Sequence, residues 1–279
     1  MITVVISVMN SWEYKFAFHS LLRQSLLPDR VVFTDGGSSE DYIQYLETAL
    51  KKRNFPFDVE IVVFPGTCSE TRKQYLKSIK VKDDDIIAFL DSDEVAPREW
   101  LKELTFPILN QESDFTGGPT KPLKDPKNRC EDFINYYDDW YYKNIVSKDI
   151  RALPMGNSAW SGRVLKEVGE LHDFRDSEDM DFNIRAIEKG FRGKLVKTAW
   201  VYHNQQNLDT LWKIFKKKYT YSSGSTFVFL NNRKMGGKTV SNAMSTVMCW
   251  HPIEFMNFIA KMFGFIRGVI DWKKSQSMI

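Results

Sequence analysis

Two carboxylate-rich turns are the places in this sequence where chemistry is most readily built. The first, Asp91-Ser92-Asp93-Glu94, follows five apolar residues, Ile86–Leu90, a length typical of a strand buried on both faces of a parallel sheet. Ligands of open α/β sheets bind at the carboxyl edge, where such strands end. Carboxylate oxygens placed there suit Mg²⁺ or Mn²⁺, which can in turn hold phosphates. Taken alone, however, an Asp-x-Asp triplet is more often a solvated acidic turn.

The second acidic turn, Asp176 to Asp181, stands at the start of a helix that is predicted to end at Gly190. Asp176 or Ser177 suits the N-cap position, and acidic residues in a first turn are favourable to the helix dipole. Capping is therefore the simpler explanation of this turn. The functional alternative is that one of its carboxylates, Asp179, accepts a proton.

Three further polar residues follow or flank predicted strands. Asp35 lies in a Gly-Gly turn after the strand 31–33, and Arg72 lies in the first turn of a helix predicted over residues 69–80. A basic residue at that end opposes the helix dipole unless it meets an anion. His203 follows a strand predicted from Lys194 to Tyr202. Each of these signals is weak alone, since turns and loops commonly contain such residues.

The elements that would position these residues alternate regularly. Strands are predicted over residues 3–8, 31–33, 59–64 and 86–90, with helices between them, which indicates a Rossmann-like, mostly parallel sheet flanked by helices. After residue 95 the pattern loosens into an aromatic helix over 131–143, whose rings suit either a core or an acceptor-binding wall, and a strand-like segment, 154–161, that contains Gly156 and Asn157. We therefore expect a nucleotide-binding half (1–95), an acceptor-binding half (96–205) and an extension (206–279).

Composition excludes several protein classes. Of 279 residues, 43% are hydrophobic and 27% charged, as in ordinary globular proteins. The three cysteines (Cys68, Cys130 and Cys249) show neither a disulfide framework nor zinc-ligand spacing, which favours a reducing compartment. The N-terminus lacks the order of a signal peptide, and no apolar run is long enough for a membrane span. The expected location is the cytoplasm, with a peripheral position on the cytoplasmic face of a membrane left open.

The extension 206–279 is basic, whereas the preceding body is acidic. A helix is predicted over residues 253–272, with a narrow stripe of polar and small residues on an otherwise apolar surface. The stripe consists of Glu254, Asn257, Lys261, Gly264, Gly268 and Asp271. So wide an apolar face needs a cover: the body, a second copy in a homodimer, or the interface of a bilayer. We favour the bilayer because basic residues upstream suit anionic headgroups. These are Lys213, Lys216, Lys217, Lys218, Arg233, Lys234 and Lys238.

The order of these signals is more specific than any one of them. Thr34-Asp35-Gly36-Gly37-Ser38, Asp91-Ser92-Asp93 and Glu178-Asp179-x-Asp181, the last followed by Arg185 and Gly190, together resemble glycosyltransferase family 2, the inverting enzymes of GT-A fold. The resemblance covers about residues 1–205. Thr34 departs from it, since the family often has an acid or an apolar residue there.

The resemblance implies a role for each matching residue. Asp179 would be the catalytic base. Asp93 and His203 would hold a divalent cation, Mn²⁺ or Mg²⁺, at the donor's diphosphate. The nucleotide-sugar donor would be bound by a further set of residues: Asp35 at the base, Arg72 near the base and phosphates, Asp91 at the ribose or a metal-bound water, and Ser92, Gly156, Asn157 and Glu178.

The implied reaction is metal-dependent, inverting transfer of a hexosyl group from a nucleoside-diphosphate sugar, with UDP favoured, to a hydroxyl of a glycan or lipid-linked acceptor. One base and one metal site suffice for it. A nucleotidyltransferase is disfavoured because Met9-Asn10-Ser11-Trp12-Glu13 stands where a glycine-rich phosphate loop is expected. A non-catalytic sugar-nucleotide or membrane-binding module would leave Asp179 dispensable. Nucleic acid is not an expected partner, since no recognition motif accompanies the basic extension.

Overall fold

The computed structural model describes residues 1–51, 54–172, 177–204, 208–232 and 252–277. Its strands are β1 (Ile2–Val8), β2 (Arg30–Asp35), β3 (Asp58–Val63), β4 (Ile86–Leu90), β5 (Glu94–Val95), β6 (Phe115–Gly117), β7 (Thr120–Pro122), β8 (Asn157–Ser161), β9 (Gly193–Leu195) and β10 (Val201–His203). Its α-helices are α1 (Tyr14–Leu21), α2 (Glu40–Lys51), α3 (Cys68–Ser78), α4 (Trp100–Leu109), α5 (Arg129–Tyr141), α6 (Gly162–Val168), α7 (Glu178–Glu188), α8 (Leu211–Asn231) and α9 (Pro252–Gln276).

Seven strands form a central sheet in the order β3-β2-β1-β4-β8-β6-β9. The first four are mutually parallel, as alternation of strands and helices predicts, and β8 runs antiparallel between β4 and β6. All five residues of β4 are buried, which agrees with its uniformly apolar sequence. The mostly parallel α/β sheet with a helical C-terminal extension is confirmed.

The sheet separates two apolar cores. Alternate residues of β1 point to opposite faces, so Val4 and Ile6 enter the core shared with α1, α2 and α4, whereas Val5 enters the other. The second core contains the stacked rings of Phe115 and Trp160, whose centroids are 4.4 Å apart. Burial on both faces fixes the strand registers, and therefore which side chains reach the carboxyl edge.

A second, three-stranded sheet, β5-β10-β7, adjoins that edge. The predicted strand Lys194–Tyr202 is wrong: the segment contains two strands, β9 in the central sheet and β10 in the small one. Between them the chain turns, with the N–H of Ala199 donating to the carbonyl of Val196 at 3.1 Å. This break matters because it places His203 opposite Glu94 in the small sheet.

The extension contains two long helices, α8 and α9, which pack on each other. A third apolar cluster joins them to the body: Phe133 and Ile134 of α5 contact Leu208, Ile214 and Ile253. Helix α8 runs for 21 residues. Among the described helices, none combines the length and apolar character required to cross a membrane. The domain boundaries at residues 95 and 205 stay predictions.

Candidate active site

The turn after β4 forms one side of the site. Arg72 of α3, only 4% exposed, makes an ion pair with the Asp91 carboxylate, and its guanidinium lies 5.4 Å from the centre of the Phe89 ring. Arg72 is the fifth residue of α3, just past its first turn, and Asp91 supplies an anion for this basic residue near the helix N-terminus. The Nε of Arg72 has no hydrogen-bond partner among the described residues. A buried guanidinium with an unused donor suits a phosphate oxygen.

Asp93 and His203 meet although they are far apart in sequence. The Oδ2 of Asp93 lies 3.4 Å from the Nε2 of His203, and the N–H of Asn204 donates to the Asp93 carbonyl at 2.9 Å. Burial opposes the charge of His203, but the hydrogen bond and charge of Asp93 outweigh it and raise the His203 pKa to about 9. Burial also works against ionisation of Asp93, yet His203 holds the Asp93 pKa below its usual value.

Sequence analysis placed Glu94 in the first acidic turn but gave it no role of its own. Its side chain is 2% exposed, and its Oε2 accepts a hydrogen bond from the N–H of Asp91 at 3.1 Å. Burial, and next the charge of Asp91, raise the Glu94 pKa to about 8. Glu94 therefore supports the turn that presents Asp91 and Asp93. In the sequence, Glu94 is marked only by the change from the apolar run ending at Leu90 to the acidic residues that follow.

Gly156 and Asn157 reach the same edge from β8. A Cβ added to Gly156 would lie 2.4 Å from the Oδ2 of Asp91, so only glycine fits without displacing that carboxylate. The Asn157 side chain, by contrast, bonds to the protein itself, accepting from the indole of Trp100 at 2.8 Å and donating to the carbonyl of Ala199 at 3.0 Å. A donor contact by Asn157 would have to replace one of these bonds. On the opposite side, Ser92 bonds to the hydroxyl of Ser11 at 3.1 Å.

Asp35 lies buried at the end of β2, and its carboxylate holds the following turn. Its Oδ2 accepts from the N–H groups of Gly37 and Ser38 at 2.8 and 2.9 Å, and its Oδ1 accepts from the Ser38 hydroxyl. Gly37 has φ of +100°, which explains the glycine in this turn. The structure thus gives Asp35 an organising role, and its contact with a nucleobase stays a prediction.

The second acidic turn opens α7 on the other side of the site. The Oδ1 of Asp179 accepts from the N–H of Met180 at 2.7 Å. Loss of water around this carboxyl raises the Asp179 pKa to about 6, although hydrogen bonds from Met180 and Met155 and the charge of Arg72 act in the opposite sense. Asp176, the other predicted cap residue, lies outside the described residues.

Arg72 links the two turns. Its positive charge interacts with Asp91 and Glu94 of the first turn and with Glu178 and Asp179 of the second. The structure therefore brings the predicted donor-binding arginine and the predicted base to one place. Lys217 of α8 also acts electrostatically on Asp93 and His203, a contribution from the extension that the sequence did not reveal.

Asp181 is separated from this group by its own partners. It is 1% exposed, and its Oδ2 lies 2.8 Å from the Nε of Arg185 and 3.0 Å from the Nδ1 of His172. Its Oδ1 lies 3.5 Å from the Nδ2 of Asn232, at the end of α8. Asp181 therefore ties α7 to its surroundings, while Asp179 faces the site.

Comparison with known proteins defines the family. Residues 3–159, more than half of the chain, match the family described as Glycosyl transferase family 2, and residues 86–267 match Glycosyl transferase family group 2. The chain belongs to glycosyl transferase family 2. This family 2 chain is thus a glycosyltransferase. No curated protein shows significant sequence similarity to it.

Solved structures share its fold. S. aureus TarS 1–349 in complex with UDP-GlcNAc superposes with a TM-score of 0.54 at 17% identity, over 96% of this family 2 chain and 81% of that one. The complex of S. aureus TarS 1–349 with UDP superposes with a TM-score of 0.53 at 14% identity, over 100% of this chain and 92% of that one. Against the longer S. aureus TarS structure the TM-score is 0.54 at 15% identity, and the match spans only 46% of that chain. These superpositions show that the chain shares the GT-A-like fold of TarS.

In the described part of the chain, no three or more His, Cys, Asp or Glu side chains are gathered as a metal site. The predicted ligand pair, Asp93 and His203, is nevertheless together.

Proposed function

We propose that this chain transfers a hexosyl group, with inversion, from a nucleoside-diphosphate sugar to an acceptor hydroxyl, with Asp179 as the general base. UDP is the favoured carrier. The observation that carries the proposal is the position of Asp179: it lies at the start of α7, within the field of Arg72, and its pKa is raised to about 6. A base with a pKa near the working pH is both ionised and able to hold a proton.

The reaction balances with one carboxylate. Asp179 takes the proton of the acceptor hydroxyl, whose oxygen forms a bond to the anomeric carbon from the face opposite the diphosphate. The bond from that carbon to the diphosphate oxygen breaks, and its electron pair leaves with the nucleoside diphosphate. An inverting hydrolase needs a second carboxyl group as an acid, whereas a diphosphate leaving group needs stabilisation of charge.

Arg72 is suited to that stabilisation. Its guanidinium is buried and fixed by Asp91, and its Nε remains available to an oxygen of the diphosphate. A fixed donor in a site of low dielectric loses little energy to reorganisation when negative charge develops. Lys217 adds positive charge from α8.

Asp93 and His203 fit a divalent cation, Mn²⁺ or Mg²⁺. A carboxylate, which is a hard ligand, and an imidazole, which is a borderline one, lie within 3.4 Å of each other and form a partial ligand set; Mg²⁺ characteristically combines few protein ligands with substrate phosphates. A bound cation would act as a Lewis acid toward the leaving group. Because His203 must lose its proton to bind a metal, metal binding would release that proton.

The remaining donor contacts follow from the site's walls. Ser92, Gly156 and Glu178 surround Asp91 and Arg72, and Asp35 shapes the neighbouring loop where the base would lie. The TarS complex with UDP-GlcNAc, which shares the fold, supports a donor of this class. For the acceptor, a lipid-linked glycan is favoured over a free glycan because α8, which has exposed aromatic side chains, runs beside the site.

Calorimetric titration with UDP, GDP and dTDP, each with Mn²⁺ and with EDTA, tests the proposal. We expect one nucleoside diphosphate to bind in the presence of Mn²⁺ and to bind much more weakly with EDTA. Failure of the folded chain to bind any of the three would overturn the donor assignment.

A further inference from the structure

Helices α8 and α9 pack through small residues. A Cβ added to Gly264 would lie 2.4 Å from the carbonyl oxygen of Tyr219, and one added to Gly268 would lie 2.5 Å from that of Ser223. The Ser222 hydroxyl donates to the carbonyl of Lys261 at 2.8 Å across the same contact. Gly264 and Gly268, in the stripe of small and polar residues on α9, therefore face α8, because only small side chains allow the backbones to approach so closely.

Seven large apolar side chains of α9 consequently face away from the protein, whereas Ile253 is buried against the body. Phe255 is 69% exposed, and Ile266, on the same face three turns later, is 49% exposed. The other exposed apolar residues of this helix are Phe258, Met262, Phe263, Phe265 and Ile270. This arrangement, with small residues inside and large apolar residues outside, is that of helices packed in an apolar medium. In water, an exposed apolar surface of this kind marks a contact with a partner.

A groove between the helices adds to this surface. Trp212, Phe215, Lys216 and Tyr219 of α8 and Phe263 of α9 line a cavity of about 420 Å³. Trp212, 70% exposed, stacks on Phe215 with ring centroids 5.6 Å apart. Trp and Tyr favour the boundary between water and lipid, and an apolar groove with a lysine at its wall suits an acyl chain below an acidic headgroup.

The charge of the helix pair α8 and α9 identifies the partner. Basic residues outnumber acidic ones on both helices, and Lys216, Lys273 and Lys274 are exposed. Anionic headgroups complement this charge, and acyl chains complement Phe255 and Ile266. A nucleic acid would meet the charge but not these aliphatic and phenyl groups. A lipid surface satisfies both properties at once.

We propose that the helix pair α8 and α9 is a docking surface for an anionic lipid bilayer, with the exposed face of α9 and the groove at Trp212 in the interface. The same helix α8 places Lys217 near Asp93 and His203 and ends at Asn232 beside Asp181. Docking would thus hold the site close to a lipid-linked acceptor. The acceptor part of this inference rests on the proposed transferase function, and the docking part does not.

Vesicle flotation of the full chain tests the docking. The chain should float with phosphatidylcholine vesicles containing about 30% phosphatidylglycerol and much less with phosphatidylcholine alone. The double variant Phe255→Ser, Ile266→Ser should weaken binding at least about tenfold, since each substitution removes an apolar group that would be buried in the bilayer. Lys216→Gln with Lys274→Gln should weaken binding to anionic vesicles only. Phe106→Ser on α4, a residue 52% exposed, is the matched control and should bind as the unaltered chain does.

Three results would overturn the proposal. The first is a folded chain, by circular dichroism, that floats with neither vesicle. The second is an equal loss of binding in the Phe106→Ser control. The third is a chain that forms a stable dimer by light scattering and does not float, and whose dimer dissociates in the Phe255→Ser, Ile266→Ser variant. That result would show that a second copy, not a bilayer, covers the exposed face of α9. Nucleotide calorimetry is done without lipid, so failure of the donor site and failure of docking are distinguishable.

Discussion

The two acidic turns have similar sequences but opposite electrostatic settings. In the first, Asp91 pairs with Arg72 and Asp93 pairs with His203, so the pKa of Asp93 is held low. In the second, Asp179 has backbone donors but no paired cation in direct contact among the described residues, and the loss of water raises its pKa to about 6. A carboxylate that stays ionised is suited to hold a cation, whereas one that titrates near neutrality is suited to move a proton.

The difference does not come from the elements that carry the two turns. Acidic residues occur both after a strand, at β4, and at the start of a helix, at α7. The difference comes from which basic groups the fold brings near. Arg72 acts electrostatically on both turns, and it forms an ion pair with Asp91 of the first. The proposed roles of the two turns, cation binding and proton transfer, can therefore be tested separately by single substitutions.

The largest effect is expected from Asp179→Asn. Without the base, release of nucleotide from the sugar donor should fall by about 10²- to 10⁴-fold, as is typical for loss of general base catalysis. Binding of the nucleoside diphosphate with Mn²⁺ should change little in calorimetry. Glu188→Gln, at the exposed end of the same helix, is the control and should retain full activity. Retention of most of the turnover by Asp179→Asn would show that the base is elsewhere.

Asp93→Ala should instead impair binding. With Mn²⁺, affinity for the nucleoside diphosphate should fall about tenfold or more, because one of two protein ligands is lost. In EDTA the variant and the unaltered chain should bind alike. Asp84→Ala, at the opposite end of β4, removes an exposed carboxylate and serves as the control. Equal losses with Mn²⁺ and with EDTA would argue against a metal role for Asp93.

The pH dependence separates the turns without mutation. The raised pKa of Asp179 means that the proton leaves as the pH rises through about 6, so the proton-accepting form is lost below that pH. Initial rates measured from pH 5 to 8 should therefore fall on the acidic side, by about tenfold per pH unit at the limit. The residual rate of Asp179→Asn should lack this limb. A profile that is flat through pH 6 would contradict the assignment.

Gly156→Ala should have the smallest effect. The new Cβ would displace the Asp91 carboxylate, a flexible group, so we expect a loss of donor affinity of about three- to tenfold and little loss of fold stability. Calorimetry measures the first and thermal unfolding the second. Unchanged affinity would mean that the position of Asp91 is not critical for the donor.

Much of the fold could be predicted from sequence because apolar runs and their spacing report burial directly. The runs at β1 and β4 and the alternation with helices sufficed for the parallel half. One strand was predicted over residues 194–202 instead of two, because the turn near Ala199 contains neither glycine nor proline. The orientation of α9 was not predictable either, since a stripe of small residues does not say which side of a helix meets another helix.

The site was less accessible to sequence reasoning. Contact between Asp93 and His203 depends on the small sheet, and only a family resemblance indicated it. Glu94 and Lys217 were given no role in the site because their importance comes from burial and from a neighbouring helix, and neither leaves a local pattern.

The antiparallel strand β8 has a consequence for synthesis. Strand β4, entirely apolar, has one edge covered by β1, and its other edge is covered only by residues 157–161. The ribosome adds about 5–20 residues per second, so β4 is synthesised several seconds before β8 and its second edge is unpaired during that time. An unpaired apolar strand is a template for pairing with other chains. The nascent polypeptide is thus most exposed to aggregation after β4 has been synthesised and before β8 has been synthesised. Chaperone dependence should be greatest in that interval.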